Sequence, residues 1–119
     1  MAIKENVKEL NDMILQGKVM DAFEKFYAED VVMQENSDAP RIGKKVNRDF
    51  EKQFVSHIKE FHSAKVNHIA FSDDGTIAMV NWDMDISFKD GKRKKSSQVA
   101  IQKWKNGKII NERFFYNPN

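Results

Sequence analysis

The chain has 119 residues, 40% apolar and 11% aromatic, which is material for one hydrophobic core but not for two. A net charge of +2 is too small to point to a polyanionic partner, and this apolar content excludes global disorder. The absence of cysteine excludes a disulfide framework, zinc–thiolate sites and thiol nucleophiles, and fits a reducing compartment. The first ten residues carry charges throughout and do not read as a secretory signal, and no run reaches the length of a membrane span. The expectation is one soluble, cytoplasmic domain covering residues 1–119.

Ile3, Val7, Leu10 and Ile14 recur at spacings of four, three and four, which predicts a helix over residues 3–16 that Gly17 ends. A second helix follows from Val19, with Phe23, Phe26 and Tyr27 on one side and Asp21 and Glu24 near its N-terminus. A short strand is predicted over residues 31–36. There Val31, Met33 and Glu35 share a face, because side chains alternate with period two. Ser37-Asp38-Ala39-Pro40 is a turn cluster. Gly43 then opens a third helix, predicted to run over residues 44–61. Its stripe of Val46, Phe50, Phe54, Ile58 and Phe61 is expected to cover a sheet.

From Lys65 onward the apolar period becomes two. A strand over residues 64–72 closes at Asp73-Asp74-Gly75. In the next, over residues 76–88, Val80, Trp82, Met84, Ile86 and Phe88 alternate with Asn81, Asp83, Asp85 and Ser87. Lys89-Asp90-Gly91-Lys92 leads to a strand over residues 93–105, and Asn106-Gly107 is the strongest hairpin signal, leading to a last strand over 108–116. The order is helix, helix, strand, helix and a four-strand antiparallel meander, which makes an α+β domain.

Several strings in this order resemble the nuclear-transport-factor-2-like superfamily, specifically its SnoaL-like and ketosteroid-isomerase-like members. They are Phe26-Tyr27-Ala28-Glu29-Asp30-Val31-Val32, Gly43 before the long helix, the Trp82 strand, and Asn106-Gly107-Lys108-Ile109 leading to Arg113-Phe114-Phe115. The resemblance implies a cone-like curved antiparallel sheet wrapped around three N-terminal helices, with an internal pocket for a small apolar or polycyclic molecule. It also implies a homodimer packed through the sheet. In the enzymes of the family a carboxylate at the end of the first strand removes a proton next to a carbonyl, and that position falls on Glu35. Ketosteroid isomerases polarise the carbonyl with a first-helix Tyr and a strand Asp. Those positions fall at Leu10 or Asn11 and near Ala100, so true ketosteroid isomerase activity is not expected and any chemistry is that of a related isomerase, cyclase or dehydratase.

Glu35 is accordingly the candidate general base, since an apolar pocket raises a carboxyl toward the range where a base works best. The alternative is a carboxylate that only solvates the rim, in a pocket that binds without chemistry or is plugged by its own side chains. His57 is a weaker acid–base candidate at the pocket mouth. The expected pocket wall comprises Asn11, Tyr27, Met33, Phe54, Ile58, Trp82, Met84, Ile86, Arg113 and Phe115. Arg113 either anchors an anionic or carbonyl group or pairs with Asp83 or Asp85. His57, His62 and His68 lack metal-ligand spacing, and no metal or cofactor is expected. Lys92-Arg93-Lys94-Lys95 has no interleaved aromatic platform, so nucleic acid is not an expected partner, nor is a membrane.

Overall fold

The computed structural model describes residues 3–118. Its elements are α1 (Ile3–Leu15), α2 (Val19–Phe26), β1 (Tyr27–Glu35), β2 (Arg41–Ile42), α3 (Lys44–Ser56), β3 (Ile58–Phe71), β4 (Ile77–Phe88), β5 (Arg93–Lys105) and β6 (Lys108–Tyr116). The strands form one six-stranded sheet in the order β2-β1-β6-β5-β4-β3. The result is the cone-like α+β architecture, with the helices against one face of the sheet. No helix among the described residues is long and apolar enough to cross a membrane.

The core lies where α1 and α2 meet the sheet. Val7 and Leu10 of α1 and Phe23 and Phe26 of α2 pack with Val31 and Met33 of β1 and Val80 and Trp82 of β4, all nearly inaccessible. Burying a side chain such as Leu10 contributes roughly 2 kcal/mol. Phe23 stacks on Tyr27, with ring centroids 4.8 Å apart, and Phe26 meets Trp104 edge-on at 5.9 Å. These contacts fix the angle at which the chain passes from α2 into β1.

Five departures from the sequence reading bear on the site. Tyr27 opens β1 rather than closing α2, and the unexpected two-residue β2 pairs with Val32 and Met33. The sheet is mixed, because β1 runs parallel to β6. The third helix stops at Ser56, whose hydroxyl bonds back to the Gln53 carbonyl at 2.7 Å. Beyond it Ile58 and Phe61 join the ladder opposite Phe88 and Ile86, so the far end of the long β4 has a partner for its backbone groups.

The fifth departure is a bulge in β6. Lys103 pairs with Asn111 but Trp104 pairs with Ile109, leaving Ile110 as an extra residue. The bulge reverses which residues point inward. Ile109 is fully buried before it, and Glu112 is 2% exposed after it, although they are an odd number of positions apart.

Candidate functional site

A cavity of about 260 Å³ lies between the helices and the inner face of the sheet. Its wall is mostly apolar. It is formed by Trp82, Met84 and Ile86 of β4, Phe23 of α2, Met33 of β1, Ala100 of β5 and Phe114 of β6. Phe50 and Phe54 of α3 and Phe61 of β3 line the cavity while remaining 38%, 41% and 40% exposed, so they form its rim. Into this wall are set Asn11, Tyr27, Glu35, Glu51, Gln98, Gln102, Glu112 and Tyr116.

Glu35, at the end of β1, is held from both sides. Its Oε1 accepts the Tyr116 hydroxyl at 2.9 Å and its Oε2 accepts Arg41 Nη2 at 3.0 Å. Arg41 is fixed in turn. Its guanidinium lies 3.6 Å from the centre of the Phe50 ring, and its Nε donates to Asn47 Oδ1 at 3.0 Å. Asn47, completely buried, returns its amide N–H to the carbonyls of Arg41 at 3.0 Å and Gly43 at 2.8 Å. Burial pushes the Tyr116 hydroxyl up to about 12, and the Glu35 charge beside it acts in the same direction.

Glu112 occupies the interior of the site. Tyr27 donates its hydroxyl to one carboxyl oxygen, Gln102 Nε2 donates to the other at 2.8 Å, and Trp104 Nε1 donates to Gln102 Oε1 at 3.1 Å. Burial pushes the Glu112 carboxyl up to about 7, against the lowering effect of those two hydrogen bonds. Glu51, half-buried on α3, is also pushed up to about 7, first by burial and then by the charge of Glu35, with Arg41 pulling the other way. Its carboxyl has no hydrogen-bond partner among the described residues. Asn11 is 5% exposed, and neither its amide oxygen nor its nitrogen has a partner among them. A buried amide without a partner costs about 1–3 kcal/mol, and a ligand group that reaches it recovers that cost.

The sequence model of the SnoaL-like domain matches residues 1–116. This chain belongs to the SnoaL-like domain family. Among solved structures it is similar to a Mesorhizobium loti protein assigned as a SnoaL-like polyketide cyclase, with 28% identity, a TM-score of 0.84 and coverage of 98% of this chain and 100% of that one. A protein assigned as a polyketide cyclase from Pseudomonas putida is 20% identical, with a TM-score of 0.82 over 100% of this chain and 94% of that one. SalBIII, an epoxide hydrolase/cyclase-like enzyme in pyran ring formation in polyether salinomycin, is 22% identical, with a TM-score of 0.80 over 97% of this chain and 90% of its own. At these lower identities the likeness is one of fold. No curated protein matches the chain.

Within this SnoaL-like fold, Glu35, Asn11, Tyr27, Met33, Phe54, Trp82, Met84 and Ile86 come together around the cavity. Four expected residues do not. His57 caps the end of α3, exposed to solvent, because the helix stops one residue before it. Ile58 begins β3 opposite Phe88 and is not part of the cavity wall. Arg113 and Phe115 face the other side of the sheet, because the bulge at Ile110 turns Glu112, Phe114 and Tyr116 inward instead. Arg113 neither anchors a group in the cavity nor pairs with Asp83 or Asp85; it donates to the Asn36 carbonyl at 2.9 Å and stacks on Phe115 at 4.6 Å. Asp85 is taken by Arg93 through two hydrogen bonds of 2.9 and 2.8 Å.

Sequence reasoning missed Arg41, Glu51, Glu112 and Tyr116. Glu51 had a usable signal, because it lies three residues before Phe54 and so beside the apolar stripe. Arg41 had none, since it follows a turn and meets Glu35 only through the β1–β2 pairing. Among the described residues no group of three or more acidic, His or Cys side chains is arranged to hold a metal ion.

Proposed function

We propose that this SnoaL-like protein binds a compact, largely apolar molecule carrying a carbonyl or hydroxyl group. We further propose that it moves a proton next to that group, as an isomerase or cyclase does. The observation that carries the reading is an apolar cavity furnished with polar groups that lack partners among the described residues, Asn11 above all. Such groups cost stability unless a ligand meets them. Glu35 is the proposed proton acceptor. The Arg41–Asn47 and Tyr116 contacts fix its carboxylate at the cavity wall, and each oxygen retains a lone pair for a substrate hydrogen. The similarity to proteins assigned as polyketide cyclases supports the same class of chemistry.

The test is exchange of α-hydrogens in heavy water, followed by NMR with compact enolisable ketones. The wild type is expected to accelerate exchange and Glu35→Gln to abolish it while leaving the fold intact. A second reading, a pocket that only binds, is favoured by the engagement of both Glu35 oxygens. It prevails if ketones bind and no exchange occurs in either protein. The outer face of the sheet carries Met79 and Phe115, 42% and 40% exposed, which supports a homodimer packed through that face. Sedimentation of a monomer would exclude it.

A further inference from the structure

A base on one side of a carbonyl compound needs a group that receives the charge developing on the oxygen, which is usually the greatest single contribution to such catalysis. The two positions where relatives carry that group fall on Leu10 or Asn11 and on Ala100, and Ala100 brings no donor to the cavity wall. We propose that Glu51 on α3 supplies it: its carboxyl donates a hydrogen bond, and then its proton, to the carbonyl oxygen of a ligand whose neighbouring C–H faces Glu35. This rests on the proton-transfer reading above and adds the acid to it.

Three features support the assignment. Glu51 lines the same cavity as Glu35, from α3 rather than β1. Its carboxyl has no hydrogen-bond partner among the described residues, whereas Glu35 is held by Arg41 and Tyr116 and Glu112 by Tyr27 and Gln102. The surroundings divide the two carboxyls into unequal roles. Arg41 forms an ion pair with Glu35, while burial and the Glu35 charge keep Glu51 protonated up to about 7. Two carboxyls with separated environments are the usual arrangement for an acid and a base in one site. The other ionisable groups around Glu51 are Tyr27 and Glu35 of β1, Arg41 of β2, Glu112 and Tyr116 of β6 and Lys94 of β5. Glu35 raises its affinity for the proton and Arg41 lowers it.

The step balances without an oxidant. The Glu35 carboxylate takes the α-hydrogen as a proton, and the C–H electron pair becomes the C=C bond of an enol. The carbonyl π pair moves onto oxygen, which accepts the Glu51 proton. From the enol, Glu35 returns a proton or deuteron to the α-carbon and the hydroxyl returns its proton to Glu51, which completes exchange. With a β,γ-unsaturated ketone the intermediate is a dienol. Return of the proton to the γ-carbon then shifts the C=C bond into conjugation, which completes an isomerisation and restores both glutamates.

Methyl naphthyl ketone in heavy water is the probe, with α-hydrogen exchange read by NMR for wild type, Glu51→Ala and Glu51→Gln. Glu51→Ala is expected to slow exchange about a hundredfold. Glu51→Gln, which keeps an N–H donor of similar shape, recovers part of that loss and guards against misfolding of the alanine variant. Measured in a Glu112→Gln background, which removes the other carboxyl raised to about 7, the rate falls as pH rises through about 7, and this limb disappears on adding Glu51→Gln. Exchange in Glu51→Ala as fast as in wild type, or the same high-pH limb when Glu51→Gln is added to Glu112→Gln, overturns the assignment and leaves the function standing. No exchange by the wild type overturns both.

Discussion

At the scale of single residues, the site is built from side chains whose polar demands are met unequally. Glu35 has two donors, Glu112 has two, and Glu51 and Asn11 have none among the described residues. Unmet demand marks where a ligand's polar atoms are best placed, because a ligand group that displaces solvent there offsets the desolvation of those side chains. Replacing Asn11 with Leu removes the orphaned amide at similar volume. We expect Asn11→Leu to stabilise the ligand-free protein by about 1 kcal/mol in urea unfolding and to weaken ketone binding. A less stable variant with unchanged binding would show that the amide serves the fold and not the ligand. Glu35 was legible in the sequence as a carboxylate on the Val31–Met33 face. The Arg41 that holds it was not, since nothing local to Pro40-Arg41-Ile42 points toward a carboxylate.

At the scale of elements, α3 is the part whose role differs most from its pattern. A stripe with several phenylalanines reads as a face that covers a sheet, yet Val46, Phe50 and Phe54 are 51%, 38% and 41% exposed. The buried residues of α3 are Lys44 and Asn47, both polar. Asn47 joins α3 to β2 and Gly43 through three hydrogen bonds with Arg41 and Gly43. Asn47→Ala removes these three hydrogen bonds from a fully buried side chain and is expected to destabilise the protein by roughly 2 kcal/mol in chemical denaturation. It also frees Arg41, so ketone exchange should fall in the folded variant. The hairpin before β6 behaves as its sequence indicates. Asn106 and Gly107 have φ of 52° and 76°, the left-handed conformation that Asn-Gly favours. The bulge three residues later decides which side chains of β6 enter the cavity, and no turn signature announces it.

At the scale of the whole molecule, the two raised carboxyls tie stability to pH. Glu112 has an ordinary value of 4.5 in the unfolded chain and about 7 in the fold, so the folded state binds its proton more tightly. The stabilisation this gives is complete below the unfolded value and is lost as pH rises through about 7. The loss amounts to roughly 3 kcal/mol for Glu112, and Glu51 acts in the same direction. The thermal midpoint is therefore expected to be higher at about pH 5 than at about pH 8, and Glu112→Gln to flatten that slope. Scanning calorimetry across this range measures both. A slope unchanged by Glu112→Gln would mean that the carboxyl is not isolated from water in solution.

What the sequence determined by itself was every element but β2, and one side of the cavity. Periods of 3.6 and 2 are local properties of the backbone, so α1, the meander strands and the inward face of Trp82, Met84 and Ile86 were readable from spacing alone. Tertiary structure decided the rest. Strand pairing ended α3 at Ser56, the parallel β1–β6 contact brought Tyr116 to Glu35, and the extra residue at Ile110 exchanged Arg113 and Phe115 for Glu112, Phe114 and Tyr116. Each depends on hydrogen bonds between segments far apart in the chain, and a strand's phase is set by its neighbour's register as much as by its own alternation.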